Sequence, residues 1–352
     1  MPGAANTDNW GIPGFLTSGS QGIPRLVVSR RLCTTRAEDH ALGALWGLAV
    51  SGLGRYTARQ ETSVADLPCR QAGEETSMTS PADGGQAGNR PVGIFDSGVG
   101  GLTIWRAIRR LLPRESLIFL ADDAHVPYGE KTPEELRLLT ADIVRFFLRH
   151  DVKLVVVACN TATVYAIDYL REQFPDIPFV GVVPVVKTLA SRTRSGRIAV
   201  LSTPATSRSA YLRRLIDEFA PGLEVTNVGC DGLEDLIETG DIRGREVTEL
   251  LERHLAPVVA ARPDAVGLGC THYPFLRARI KRILGPEVRV YDPSRPVARR
   301  VRQLLTGASQ LAIQGEPAFG FYTTGDADHF AAVASKLLRF PVRDVGHVDL
   351  LR

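Results

Sequence analysis

Eight short apolar or β-branched runs, separated by longer amphipathic stretches, occupy the chain between Pro91 and Pro293, at 92–97, 117–122, 154–160, 179–183, 198–203, 224–230, 265–271 and 288–293. Such alternation specifies parallel sheets, because each strand-to-parallel-strand crossover consumes a helix. Helical periodicity is plainest over 102–112, 133–149, 209–219 and 245–261. The strands form two sets of four. Paired in order, Ser202 lies 106 residues after Asp96, Cys270 lies 111 after Cys159, and Val288 lies 109 after Phe179. A near-constant offset implies duplicated halves. The expected fold class is therefore α/β, with two pseudosymmetric parallel-sheet domains and the active site in the cleft between them.

At 352 residues the chain is long enough for two core-bearing units and additional material. Its net charge of +3 implies no strongly basic face, so no nucleic-acid partner is expected. No apolar run reaches the roughly 18–20 residues that span a bilayer, and no membrane partner is expected. Five cysteines at irregular spacing argue against a secreted disulfide framework and suit a reducing cytoplasm. Residues 1–90 are rich in Gly, Ser, Thr, Ala and Arg and poor in periodic apolar positions, and they are expected to form a disordered extension. The only methionines are Met1 and Met78, and organised patterning begins about a dozen residues after the second, so Met78 is the expected translation start. An export signal around Ser29-Arg30-Arg31 is disfavoured by Glu38 and Asp39, which interrupt the following apolar stretch.

In open α/β sheets ligands bind just beyond the carboxyl ends of the strands. Those ends carry Asp96, Ser97, Asp122 and Cys159-Asn160-Thr161 from the first half, and Thr203, Cys230 and Cys270-Thr271-His272 from the second. Small polar residues and thiols of this kind suit a lined pocket better than a solvated loop. Two thiols facing one stereocentre from opposite sides permit two-base inversion, in which one removes a proton and the other returns one to the opposite face. A carbon acid beside a carboxylate is much weaker than a thiol of ordinary pKa, about 8.5, so the site must also stabilise carbanionic charge. Helix N-termini at Gly98 and after Thr161 or His272 are expected to hold the carboxylate, with Asp96 and His272 tuning the thiols.

The segments GIFDSGVGGLT (93–103), PYGEKT (127–132), ACNTAT (158–163), VGVVP (180–184), GCTHYPFL (269–276) and FYTTGD (321–326) occur in this order. Together they resemble glutamate racemase of bacterial peptidoglycan synthesis, within the aspartate/glutamate racemase family, from about Pro91 to the C-terminus. The resemblance implies an isomerase of two α/β domains, 91–187 plus 294–352 and 188–293, that interconverts L- and D-glutamate with no pyridoxal phosphate, metal or nucleotide. It implies Cys159 and Cys270 as the paired acid and base, Asp96 assisting the first thiol, His272 the second, and Glu238 nearby. Asp96, Ser97, Tyr128, Gly129, Asn160, Thr161, Thr271 and His272 are implied to bind substrate. A homodimer is left open. The segment YDPSRPVARR (291–300) departs from the usual pattern, without touching the implied chemistry.

Cysteines at strand ends are commonly small buried hydrophobes, and Cys33, Cys69 and Cys230 are read that way. Asp96 and His272 have ordinary alternatives as helix caps. Cys270-x-His272 lacks a second ligand pair at suitable spacing, so no metal is expected. A dinucleotide site is disfavoured because Thr103 stands where the glycine fingerprint needs a third glycine after Gly98 and Gly100. Two further readings remain, a racemase of aspartate or another small acid and a two-lobed, non-enzymatic amino-acid binder.

Overall fold

The structure is a computed structural model. The chain divides into two units, Met1–Thr76 and Ser77–Arg352, and the structure describes residues 87–182 and 185–350 of the second. Cys33, Cys69, the export-like stretch, the Met78 start and the expected disordered extension all lie outside the described residues, apart from 87–90.

Ten strands and eleven α-helices alternate through the described chain. The strands are β1 (Val92–Asp96), β2 (Leu117–Ala121), β3 (Leu154–Val157), β4 (Phe179–Gly181), β5 (Arg197–Ser202), β6 (Glu224–Gly229), β7 (Ala265–Leu268), β8 (Arg289–Tyr291), β9 (Phe319–Thr323) and β10 (Gly346–His347). The helices that position the site are α1 (Leu102–Leu111), α2 (Pro133–Arg149), α3 (Asn160–Gln173), α4 (Val186–Arg192), α5 (Pro204–Arg208), α6 (Ala210–Phe219), α7 (Leu233–Glu238) and α8 (Arg245–Ala261). They are followed by α9 (Arg277–Leu284), α10 (Ser294–Gly307) and α11 (Ala327–Leu338).

All pairings are parallel, in sheets ordered β10-β9-β2-β1-β3-β4 and β6-β5-β7-β8. Stripped of its two added edge strands, the first sheet repeats the order of the second, with β1–β4 standing for β5–β8. The strands at 319–323 and 346–347 were not expected. Phe319 and Phe321 pack on Trp105, with ring centroids 5.4 and 5.3 Å away, and this tertiary contact stands in place of a clean strand pattern.

The central strands β1, β3, β5 and β7 are covered on both faces, which explains why they read as continuous apolar runs rather than alternating ones. Along β1 and β3, Val92, Ile94, Leu154 and Val156 join one core while Phe95, Val155 and Val157 join another. In β5, Ala199 and Leu201 extend the first of these cores, so it runs through both sheets, whereas Ile198 and Val200 face a third. One shared core thus holds the two lobes together. Local signals set the helix ends. Thr132 and Glu135 form a reciprocal capping box ahead of Pro133, which fixes where α2 begins.

Candidate active site

The carboxyl ends of the two sheets meet at a small cavity lined by Asp96, Ser97, Tyr128, Gly129, Cys159, Asn160, Thr161, Thr203, Glu234, Glu238, Cys270, Thr271 and His272, together with Val126 and Pro127. The residues that the resemblance implied as catalytic or substrate-binding all line this cavity, and both thiols border the same space, whereas Asp122, also offered by a strand end, and Gly98, offered as a helix N-terminus, do not line it. Cys230 is absent from the lining. It is buried, with its sulfur 3.9 Å from the Val228 carbonyl.

Cys159 is the N-cap of α3, and its sulfur accepts a hydrogen bond from the Ala162 N–H at 3.5 Å. The Ser97 hydroxyl lies 3.8 Å from that sulfur and donates to Asp96 Oδ1 at 3.3 Å. The first thiol therefore reaches a carboxylate through a hydroxyl. Burial, and next the Asp96 charge, push the Cys159 thiol well above its usual range. Asp96 is itself fully buried and raised to about 6 by that burial, against the pull of His272, of Thr271 and of the Ser97 N–H.

Cys270 follows β7. Its thiol donates to Glu234 Oε1 at 3.2 Å, and its sulfur is 3.5 Å from His272 Nδ1. His272 Nε2 pairs closely with Glu238 Oε1. Burial alone pulls His272 down, but the hydrogen bond and charge of Glu238, helped by Asp96 and Glu234, raise it to about 9. Burial, followed by the Glu234 charge, lifts the Cys270 thiol well above its usual range. Glu234 was not anticipated. Nothing in GLEDLIE (232–238) separates it from a solvated helix residue, and only the first turn of α7 beside Cys270 gives it a role.

The lobes are stitched together at the site itself. Thr271 Oγ1 donates to Asp96 Oδ2 at 2.9 Å, and the Val99 N–H donates to Glu238 Oε1 at 3.0 Å. Each half thus fixes the other half's carboxylate. This closeness explains Gly98 and Gly100. A Cβ on Gly98 would lie 1.9 Å from Glu238 Oε1, and one on Gly100 would lie 2.5 Å from His272 Nδ1. These glycines admit the second lobe's side chains, which is a different use from cradling a pyrophosphate. Asp122, the residue that a ribose would need, is occupied by Tyr128 Oη at 2.6 Å, Thr324 Oγ1 at 2.8 Å and His125 Nδ1 at 2.7 Å.

Two expectations about helix N-termini change. Helix α1 begins at Leu102 with Gly101 as N-cap, not at Gly98, and α3 begins at Asn160, so Asn160 and Thr161 sit in its first turn. After His272 the chain makes a 3₁₀ turn, Tyr273–Leu276, and a regular helix begins only at Arg277. The free N–H groups at the start of α3 therefore lie at the cavity beside Cys159. Asn160 is 2 % exposed, and neither its Nδ2 nor its Oδ1 finds a partner among the described residues. A buried amide with both ends unpaired beside a cavity is built to meet a polar ligand.

Twin parallel-sheet lobes that converge two cysteines and a set of carboxylates on one cavity define a proton-transfer site for a small polar molecule. The family model for Asp/Glu/Hydantoin racemase matches residues 101–301, and the chain belongs to that family. It is 43 % identical over 263 residues to a glutamate racemase of Pseudomonas syringae pv. tomato, covering 74 % of this chain and 94 % of the relative. Among solved structures, it is similar to a glutamate racemase isoform from Bacillus anthracis (TM-score 0.69, 32 % identity, 75 % of this chain and 98 % of that one). The Escherichia coli glutamate racemase in complex with L-glutamate and an activator, UDP-MurNAc-ala, is similar too (TM-score 0.67, 32 % identity, 75 % and 100 % covered).

Proposed function

We propose that this chain is a cofactor-independent glutamate racemase that interconverts L- and D-glutamate in the cytoplasm and supplies D-glutamate for peptidoglycan. The observation that carries this reading is the pair of thiols, one from each lobe, on a single cavity. The Escherichia coli relative's complex with L-glutamate supports the choice of substrate. The lobes are assigned as 91–187 with 294–352, and 188–293.

In one direction, a thiolate takes the α-proton from one face of the substrate, leaving the bonding pair on the α-carbon and its carboxylate. The opposite thiol gives its proton to the other face and becomes the thiolate. Configuration inverts, and no atom is gained or lost. Run backwards, the two sulfurs exchange roles, which is why both must lie within reach of one carbon. Asp96 through Ser97, and Glu238 through His272, hold the sulfurs' proton inventory. The first-turn N–H groups of α3, the Asn160 amide and the Thr161 hydroxyl supply the donors that carbanionic charge on the carboxylate requires. Tyr128 and Gly129 close the cavity from the first lobe.

The cavity has free space of about 10 Å³, roughly one water's worth, so binding a five-carbon diacid requires the lobes or the 126–129 turn to yield. The decisive assay is incubation in deuterium oxide with a panel of amino acids, read by chiral chromatography and mass. Glutamate is expected to racemise and take up deuterium at the α-carbon. Preferential turnover of aspartate would transfer the assignment to that substrate, and binding of glutamate without α-exchange would identify a binder.

A further inference from the structure

The groups around the second thiol have a property that the first thiol's neighbours lack. Glu234 Oε1, Cys270 Sγ and His272 Nδ1 form a triangle with sides of 3.2 Å (O to S), 3.5 Å (S to N) and 3.9 Å (O to N). An ion bound tetrahedrally at about 2.3 Å from sulfur and about 2.0–2.1 Å from nitrogen and oxygen keeps such donors about 3.4–3.6 Å apart. The triangle meets this after shifts of about 0.5 Å or less. The donor types, thiolate, imidazole and carboxylate, are those that Zn²⁺ selects.

A second observation points the same way. Metal-binding imidazoles commonly give their other ring nitrogen to a carboxylate, which orients the ring and makes it a better donor. His272 has this arrangement, with Glu238 on Nε2 while Nδ1 faces the sulfur and Glu234. The fourth side of the triangle opens on the shared cavity, whose free space suits a single water rather than a further side chain. Around Cys159, by contrast, the hydrogen-bonding neighbours of the sulfur are an amide N–H and a hydroxyl.

We infer that Glu234, Cys270 and His272 form an inhibitory Zn²⁺ site that takes the second thiol out of the reaction. On binding, the Cys270 thiol and Nδ1 of His272 each release a proton to solvent, and the sulfur, the freed Nδ1 and an oxygen of Glu234 bond to the ion, with water as the fourth ligand. The ion then occupies the sulfur that must exchange a proton with the substrate, so ion and substrate exclude each other. Spacing in the sequence concealed the set, because Cys270-x-His272 offers two ligands and the third comes from α7, 36 residues earlier. The site goes beyond racemisation, since it binds the ion whether or not glutamate is turned over.

Cobalt(II) is the probe, titrated into the full-length protein in chelator-free buffer. The wild type is expected to bind one equivalent with a thiolate-to-cobalt charge-transfer band and the visible bands of a tetrahedral ion, both bleached by added zinc. Cys159→Ser retains the spectrum and Cys270→Ser loses it. Glu234→Gln and Glu238→Gln each weaken binding by about tenfold or more. A wild type without the charge-transfer band overturns the site, as does a band that survives in Cys270→Ser or vanishes in Cys159→Ser. Near-ultraviolet circular dichroism checks that each variant is folded. If Cys270→Ser is not, unchanged affinity in Glu234→Gln is the result that overturns the assignment. In the activity arm, zinc inhibits competitively with glutamate and a chelator restores the rate. Full activity at saturating zinc overturns the inhibitory role even where the spectrum stands.

Discussion

The two thiols sit at matching places in matching sheets, yet their surroundings differ in kind. Cys159 caps a helix and is touched by an amide N–H and a hydroxyl, reaching Asp96 only through Ser97. Cys270 has no α-helix following it directly and is flanked by a carboxylate and an imidazole, with a second carboxylate behind the imidazole. Matching sheets thus bring two sulfurs to one cavity, and the residues around them differ, a thiol–hydroxyl–carboxylate chain on one side and a thiol–imidazole–carboxylate chain on the other. A symmetric reaction does not require symmetric proton handling. Each chain ends on a group anchored from the other lobe, Asp96 by Thr271 and Glu238 by the Val99 N–H. Separating the lobes would therefore disarm both thiols together.

The largest expected effect comes from removing either sulfur. Cys159→Ser and Cys270→Ser should each lower racemisation by about 10²–10⁴-fold or more, measured by polarimetry, since a serine hydroxyl is a far weaker acid than a thiol. Near-normal activity in either variant would break the pairing.

Next is Glu238→Gln, which strikes the imidazole chain most directly. With Asp96 titrating near 6 and His272 near 9, kcat/KM of the wild type is expected to be bell-shaped with limbs near those values, which belong to the coupled site as a whole. The variant should lose roughly tenfold or more in rate, and its alkaline limb should move down because the main group raising His272 is gone. Stability follows the same sign. His272 is raised above its ordinary 6.5, so its pairing stabilises the fold fully below about 6.5 and is lost as pH climbs through 9. Thermal melts should show Glu238→Gln destabilised by about 2 kcal/mol at pH 6, with the deficit shrinking above pH 9. A deficit constant across that range would mean that the pair acts through packing alone.

Glu234→Gln sharpens the contrast at smaller amplitude. Removing this charge should ease ionisation of Cys270 far more than that of Cys159, on which Glu234 is a minor influence. Peptide mapping after iodoacetamide treatment should then show faster alkylation chiefly at position 270, and equal acceleration at both sulfurs would contradict the local role. The smallest effect is expected from Ser97→Ala, which cuts the hydroxyl link at a cost of about 1 kcal/mol, or about fivefold in rate, with the alkaline limb left in place.

Much of this was readable in the residues. Strand runs ending in polar residues placed β1–β8 and their carboxyl-end pocket, because parallel strands buried on both faces must be continuous apolar stretches. The added strands β9 and β10 were not legible. β9 owes its place to aromatic packing on Trp105 and pairing with β2, neither of which leaves a local pattern. Glu234 was illegible for a related reason, since its neighbours Cys270 and His272 are remote in sequence. Gly98 and Gly100 were legible as special positions but not for the right partner, since the side chains they make room for come from the other lobe.

The central claim is that the two sulfurs address opposite faces of one carbon, and isotope exchange in the single variants tests it most directly. In deuterium oxide, Cys159→Ser and Cys270→Ser, each given pure L- and pure D-glutamate, are predicted to exchange the α-hydrogen of opposite enantiomers without inverting them. Exchange of the same enantiomer by both variants would put the sulfurs on one face and contradict the account.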